Sequence, residues 1–185
     1  AAINAAAPGT TINVAPGTFK ETLLLRKDNI RLIGAGDNPY NGTVLEPPQG
    51  GRSFCGDGPG SFPGICVVAK KFDQNFNVVT PVQGVEVSGF LVRNFPGDGI
   101  VSFGGSHLSF HQNTAANNAG YGITSFVSTG NVFDHLIAFN NAEPGFYIGD
   151  LPTAAVTLTN RLSSGHQQGI SVRPANTAHP PTHSL

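Results

Sequence analysis

The sequence predicts an all-β fold, a single-stranded right-handed parallel β-helix whose coils are about 23 residues long, closed at its start by a short capping helix. Three observations point there. A glycine followed by a large apolar residue recurs as Gly99-Ile100, Gly122-Ile123, Gly145-Phe146 and Gly169-Ile170, at spacings of 23, 23 and 24. Four further columns keep phase with it: Val87, Phe110, Phe133 and Thr157; Phe90, Asn113, Leu136 and Asn160; Val92, Ala115, Ala138 and Leu162; Asn94, Asn117, Asn140 and Ser164. Finally, 24 Gly and 14 Pro stand beside only 11% charged residues, a composition of frequent sharp turns. Steps of two between apolar positions are the mark of strands with alternate side chains inward. Strands this short bury a core only when equivalent coils stack along an axis.

The elements follow in chain order. Residues 1–9 are helix-prone up to the Pro8-Gly9 stop and are expected to cap the first coil, hiding its open edge. Alternating pairs then mark strands: Ile12 and Val14, Leu23 and Leu25, Ile30 and Leu32, with a turn and an inward aromatic at Ala15-Pro16-Gly17-Thr18-Phe19. Residues 46–66 form a loop in which Cys55 and Cys66, separated by a Gly/Pro-rich stretch, are expected to join in a disulfide; two buried free thiols are the alternative. Ile65 and Val67 open the next coil, and the regular repeat carries the helical domain to residue 173. Residues 174–185, with three prolines, are expected to be an irregular tail. At the turn bearing Asn94, Asn117 and Asn140, the asparagines accept the required backbone angles and are expected to form a ladder of amides bonded coil to coil.

The run Ala2-Ile3-Asn4-Ala5-Ala6-Ala7-Pro8-Gly9-Thr10-Thr11-Ile12-Asn13-Val14-Ala15-Pro16-Gly17-Thr18-Phe19 resembles the opening of pectin-lyase-like right-handed β-helix proteins, and the Asn-x4-Gly-Ile units are similar to that superfamily's parallel β-helix repeats. The resemblance spans roughly residues 1 to 173. It implies polysaccharide lyases, hydrolases and epimerases, but also phage tailspikes and surface adhesins, so activity must be argued from the residues.

Those residues exclude some classes. Net charge is −1, with no basic cluster, which argues against a nucleic-acid partner. No apolar stretch reaches the roughly 18 residues of a membrane span. A disulfide favours an oxidising compartment, hence a secreted, periplasmic or cell-surface protein.

Chemistry is expected on outward positions. The outward column Ser88, His111, Asp134 and Leu158 sets His111 one coil from Asp134, about 4.8 Å along the stack, with His135 adjoining; a His beside a carboxylate serves as general acid or base, whereas the bland reading is a cross-strand pair that sets register. Arg161, with Arg93 and His166, is a second candidate set. In β-helix lyases a cationic residue takes the proton beside a uronate carboxylate, and Arg161 is outward by period. The Phe139 and Tyr147 rings, with Leu91 and Ile137, also fall on outward columns and are expected to stack on sugar rings or on a neighbouring molecule. No cofactor or metal ligand set is evident. Ca²⁺ is compatible with such folds but lacks support, since no two carboxylates are adjacent in the chain. Gly165-His166-Gln167-Gln168-Gly169 only loosely resembles the Gly-His-Gly of polygalacturonases, and the paired carboxylates that inverting hydrolysis requires are missing.

The expectation is therefore a secreted or surface protein that binds or processes an extended polysaccharide, with lyase-type elimination, by Arg161 or His111 as base, as the favoured chemistry. The alternatives are a non-catalytic structural or adhesive module, open to self-association, and a fragment of a larger carbohydrate-active enzyme.

Overall fold

The computed structural model describes residues 2–51, 55, 60–150, 155–166 and 168–173. The expected tail, 174–185, lies outside the described residues. The chain is a parallel β-solenoid. Strands pair with the equivalent strand one coil away, and the third sheet runs through six coils, from Leu23–Leu25 to Ile170–Arg173. The first and second sheets merge because Asn131–Phe139 and Val156–Ser164 each run through both. The first sheet contains Thr11–Asn13, Arg31–Ile33, Glu86–Ser88 and Ser109–His111. The second contains Gly17–Lys20, Thr43–Glu46, Phe90–Arg93 and Thr114–Ala116.

Alternation along each strand fills the interior. Leu32, Val87, Phe110, Phe133 and Leu158 stack in register from the first sheet. Leu45, Val92, Ala115 and Ala138 do so from the second, and Ile65, Ile100, Ile123 and Phe146 from the third. These residues belong to one continuous core. The rings of Phe110 and Phe133 meet edge to face at 5.3 Å. Ile3 and Ala6, on and just after the helix Ala2–Ala5, pack against the open end of this core. Lys27 holds that cap in place: its Nζ donates to the carbonyls of Asn4 (2.6 Å) and Ala6 (2.7 Å), at the helix C-terminus, where a cation is favoured.

Corners are set by left-handed residues that repeat with the coil. Gly89, Gln112, His135 and Asn160, all at positive φ, turn the chain from the first sheet to the second. Asn94, Asn117 and Asn140, with φ of 63°, 55° and 52°, turn it out of the second. Those three asparagines thus stand in single file, as expected, and each N–H bonds a carbonyl of the next coil. Their side chains, however, are exposed. The buried amide ladder lies one residue further on. Asn118 Nδ2 donates to Asn141 Oδ1 at 2.8 Å, and Asn118 Oδ1 accepts from the Phe95 N–H at 3.0 Å. The two Asn side chains also cap the carbonyls of Val92 and Ala115, inside the core. A buried amide is tolerated there because both its nitrogen and its oxygen have hydrogen-bond partners. The exposed corner asparagines supply the left-handed backbone angle of the turn.

The outward face of the third sheet is covered. Cys66 bonds Cys55, with Cα atoms 5.9 Å apart, so the expected disulfide is present. Val101, Phe126 and Tyr147 form a cluster there with Cys55, Phe103 and Tyr121. Tyr147 is therefore outward by strand phase but only 5% exposed, and its hydroxyl donates to Asp150 Oδ1 at 3.1 Å. Burial and the Asp150 carboxylate both raise its pKa. It packs under other residues and offers no surface to a sugar.

Candidate functional site

The exposed outward faces belong to the first two sheets. On the first, two outward columns run along the axis: Arg31, Glu86, Ser109 and Val132, and beside them Ser88, His111, Asp134 and Thr159. His111 and Asp134 are register neighbours, as their spacing implies, but each bonds elsewhere. His111 Nε2 lies 3.0 Å from Glu86 Oε1, and Glu86 also takes Arg31 Nε at 2.6 Å. Arg31, then His111, hold the Glu86 carboxyl below its ordinary value, against a burial effect that raises it. Asp134 accepts from Thr159 Oγ1 (2.5 Å) and Asn160 Nδ2 (2.9 Å) and contacts His135 Nδ1 at 2.7 Å. The first two of these bonds, with His135, depress its pKa strongly. A carboxylate so saturated with donors is a weak base, and its visible work is to tie the coil Val156–Ser164 to the one before it.

That tie has a pH signature. The folded pKa of Asp134 is depressed, so its contribution is present above the ordinary aspartate value of 3.8 and lost as pH falls through the folded value. The gap in Tm between the wild type and Asp134→Ala is expected to be constant near neutrality and to close as the pH drops below 3.8; melts across that range check it.

Arg161 departs from its expected place. Asn131 pairs with Val156 and Leu136 with Arg161, an offset of 25, whereas Phe146 pairs with Ile170 at 24. The glycine spacing therefore misplaces this strand by one. Leu158, not Thr157, is in line with Phe133, and Arg161 occupies the column of buried Leu136 while remaining exposed on the last described coil. His166 does not join Arg93 and Arg161. It ends the amide ladder: its Nδ1 accepts from the Asn141 N–H at 3.1 Å, and its Nε2 lies 3.0 Å from the Ala138 carbonyl. Among the described residues, no three His, Cys, Asp or Glu converge as a metal site would require.

The second sheet carries an open groove of about 370 Å³. Its floor is Leu91, Thr114 and Ile137 in one outward column and Ala116 and Phe139 in the next. Val44, Leu91 and Ala116 are buried against one another, with Phe139 packed on them. Leu162, 58% exposed, continues the first column beyond Ile137. One wall is Asp37-Asn38-Pro39, and Arg93 and Asn117 complete the rim. The wall exists because this coil replaces the single-residue corner with the excursion from Gly34 to Gly42. The loop is closely knit: the Gly42 N–H donates to the Asn38 carbonyl, the Tyr40 N–H to Asn38 Oδ1, and the Thr43 N–H to the Gly36 carbonyl. Asp37 is docked on the floor through Thr114 Oγ1, which donates to its Oδ2 at 2.6 Å. Tyr40 is 95% exposed, next to Pro39. Arg93 is held by Glu46, whose Oε1 takes Nη2 at 2.8 Å and Nε at 2.9 Å.

Of the sequence-derived candidates, the groove gathers Phe139 with Leu91, Ile137 and Arg93. It omits His111, Asp134, His135, Arg161 and Tyr147. The wall loop was not foreseen. Its one signal is an off-period stretch rich in Gly, Asn and Asp around an exposed Tyr.

Coil-on-coil pairing, a polar corner ladder and a groove along one outward face define a parallel β-solenoid with a laterally open cleft. Residues 66–179, more than half of the chain, match the family model of the right-handed β-helix region, and the chain belongs to that family. Among solved structures it is similar to the A-module of mannuronan C-5 epimerase AlgE6 from Azotobacter vinelandii, at 20% identity and a TM-score of 0.55, with 88% of this chain aligned. It spans 50% of that module, and the likeness is one of fold. No curated protein matches the chain in sequence.

Proposed function

We propose that the protein binds an extended polysaccharide along the groove of the second sheet. The observation that carries this reading is the pairing of an aromatic and aliphatic floor with a rim of hydrogen-bonding groups. Phe139 and Ile137, packed over buried Leu91, offer apolar surface to the C–H faces of sugar rings, and Asp37, Asn38 and Asn117 offer partners to hydroxyls. Successive coils rise by about 4.8 Å, close to the length of a pyranose unit, so a floor that repeats with the coil suits a polymer with a similar repeat. The epimerase module, named for its action on mannuronan, supports a carbohydrate partner through shared fold. The Cys55–Cys66 bond supports a secreted, periplasmic or cell-surface location.

Elimination by His111 or Arg161 is the weaker version of this reading. Both lie outside the groove, and His111 is engaged with Glu86. Uronate polymers incubated with the protein are expected to give no unsaturated product; a rise in absorbance near the ultraviolet band of such products would restore the lyase assignment.

Binding is tested by affinity electrophoresis against a panel of neutral and acidic polymers. Phe139→Ala is expected to weaken retention about tenfold, and Tyr40→Ala, at a residue outside the groove lining, to leave both retention and melting unchanged. Full retention by Phe139→Ala would remove the groove as the binding site. A competing reading, an adhesive module that self-associates, is favoured by exposed Leu162 in line with Ile137. Sedimentation that stays monomeric at all concentrations would count against it.

A further inference from the structure

We propose that the groove selects neutral glycans over uronates; this rests on the reading of the groove as a polysaccharide site. Charge decides it. Among the described residues that line the groove, Asp37 and Arg93 are the two that carry charge. Arg93 is neutralised by Glu46, which takes two of its N–H donors through one oxygen. Lys20 stands in register with Glu46, on its far side from Arg93. Among the described residues Asp37 is paired with no cation: its carboxylate is held by the neutral hydroxyl of Thr114. The groove and its direct ion partner therefore sum to one negative charge, from Asp37, Glu46 and Arg93. A uronate in every second or third unit would bring its carboxylate toward Asp37, while the guanidinium among the described lining residues, that of Arg93, is already held by Glu46. A chain of hydroxyls meets none of that repulsion. It donates to Asp37 and exchanges bonds with the amides of Asn38 and Asn117, while the floor stacks under its C–H faces. The carboxylate of Asp37 is an acceptor only, which fits a sugar hydroxyl and refuses a second carboxylate.

The test is calorimetry on the intact protein at low ionic strength, with cellohexaose, xylohexaose and mannohexaose set against hexagalacturonate and hexamannuronate. The expected result is at least one neutral hexamer bound about tenfold or more tighter than either uronate. Equal or tighter binding of a uronate overturns the selectivity but leaves the polysaccharide reading standing. Binding of none of them removes the polysaccharide reading itself. Asp37→Asn keeps an acceptor for Thr114 and removes the charge. It is expected to shift the ratio of affinities about fivefold toward hexagalacturonate, in a variant whose melting matches the wild type. A ratio that does not move overturns the charge argument.

Discussion

Phe133→Ala is expected to cost about 3–5 kcal/mol, a large share of the roughly 5–15 kcal/mol that holds a domain folded. Phe133 is fully buried and stands in the inward column between Phe110 and Leu158. In a solenoid each coil supplies half of its neighbour's core, so truncation opens a cavity that two coils share. The lost ring contact with Phe110 adds to the transfer cost. Denaturant unfolding checks the figure. A cost below about 1 kcal/mol would mean that the coils do not depend on one another for their interior.

Gly99→Ala is the second large effect, and it separates position in the stack from position in the sequence repeat. A Cβ on Gly99 would lie 2.6 Å from the Gly122 carbonyl oxygen and 2.8 Å from Ala115 Cβ, both fixed parts of the next coil. Neither can withdraw without parting the coils, so a loss of about 3 kcal/mol is expected, at the upper end for overpacking. Gly169 holds the same place in the repeat, yet a Cβ there meets nothing closer than Ser163 Oγ at 3.7 Å. Gly169→Ala is therefore expected to change stability by less than about 0.5 kcal/mol. Equal costs at the two sites would contradict stacking as the reason for the glycine column.

The contrast shows what the sequence reveals and what it hides. Gly99, Gly122 and Gly145 repeat because each faces the next coil at close range, so the fold is legible in their spacing. The amide ladder is displaced by one because its column reads Phe95, Asn118, Asn141 and His166, a mixture. The column beside it, Asn94, Asn117, Asn140 and Gly165, records a positive backbone φ. Arg161 is misplaced for a related reason. The chain from the third sheet to the first takes two more residues before Val156 than before Asn131, and the corner after Ser164 takes one fewer than the corner after Phe139. The two changes leave the glycine spacing off by only one, which conceals the slip. The groove is the least legible feature. Its floor lies on period, in Leu91, Ile137 and Phe139, but its wall is an excursion at one corner, and an event that occurs once leaves no column. Tyr147 shows the converse: strand phase gives the face a side chain points to, and says nothing of what another segment lays over it.

Which outward face is used is the central question, because the first and second sheets offer rival sites a few residues apart in every coil. Backbone amide chemical shifts, followed by NMR while a bound hexasaccharide is titrated in, read this directly. The expected result is a contiguous set of shifts at Asp37 and Asn38 on the wall and at Leu91, Thr114, Ala116, Ile137 and Phe139 on the floor, with His111, Asp134 and Thr159 unmoved. Shifts centred on Glu86, His111 and Asp134, with the wall loop silent, would contradict it and transfer the site to the first sheet.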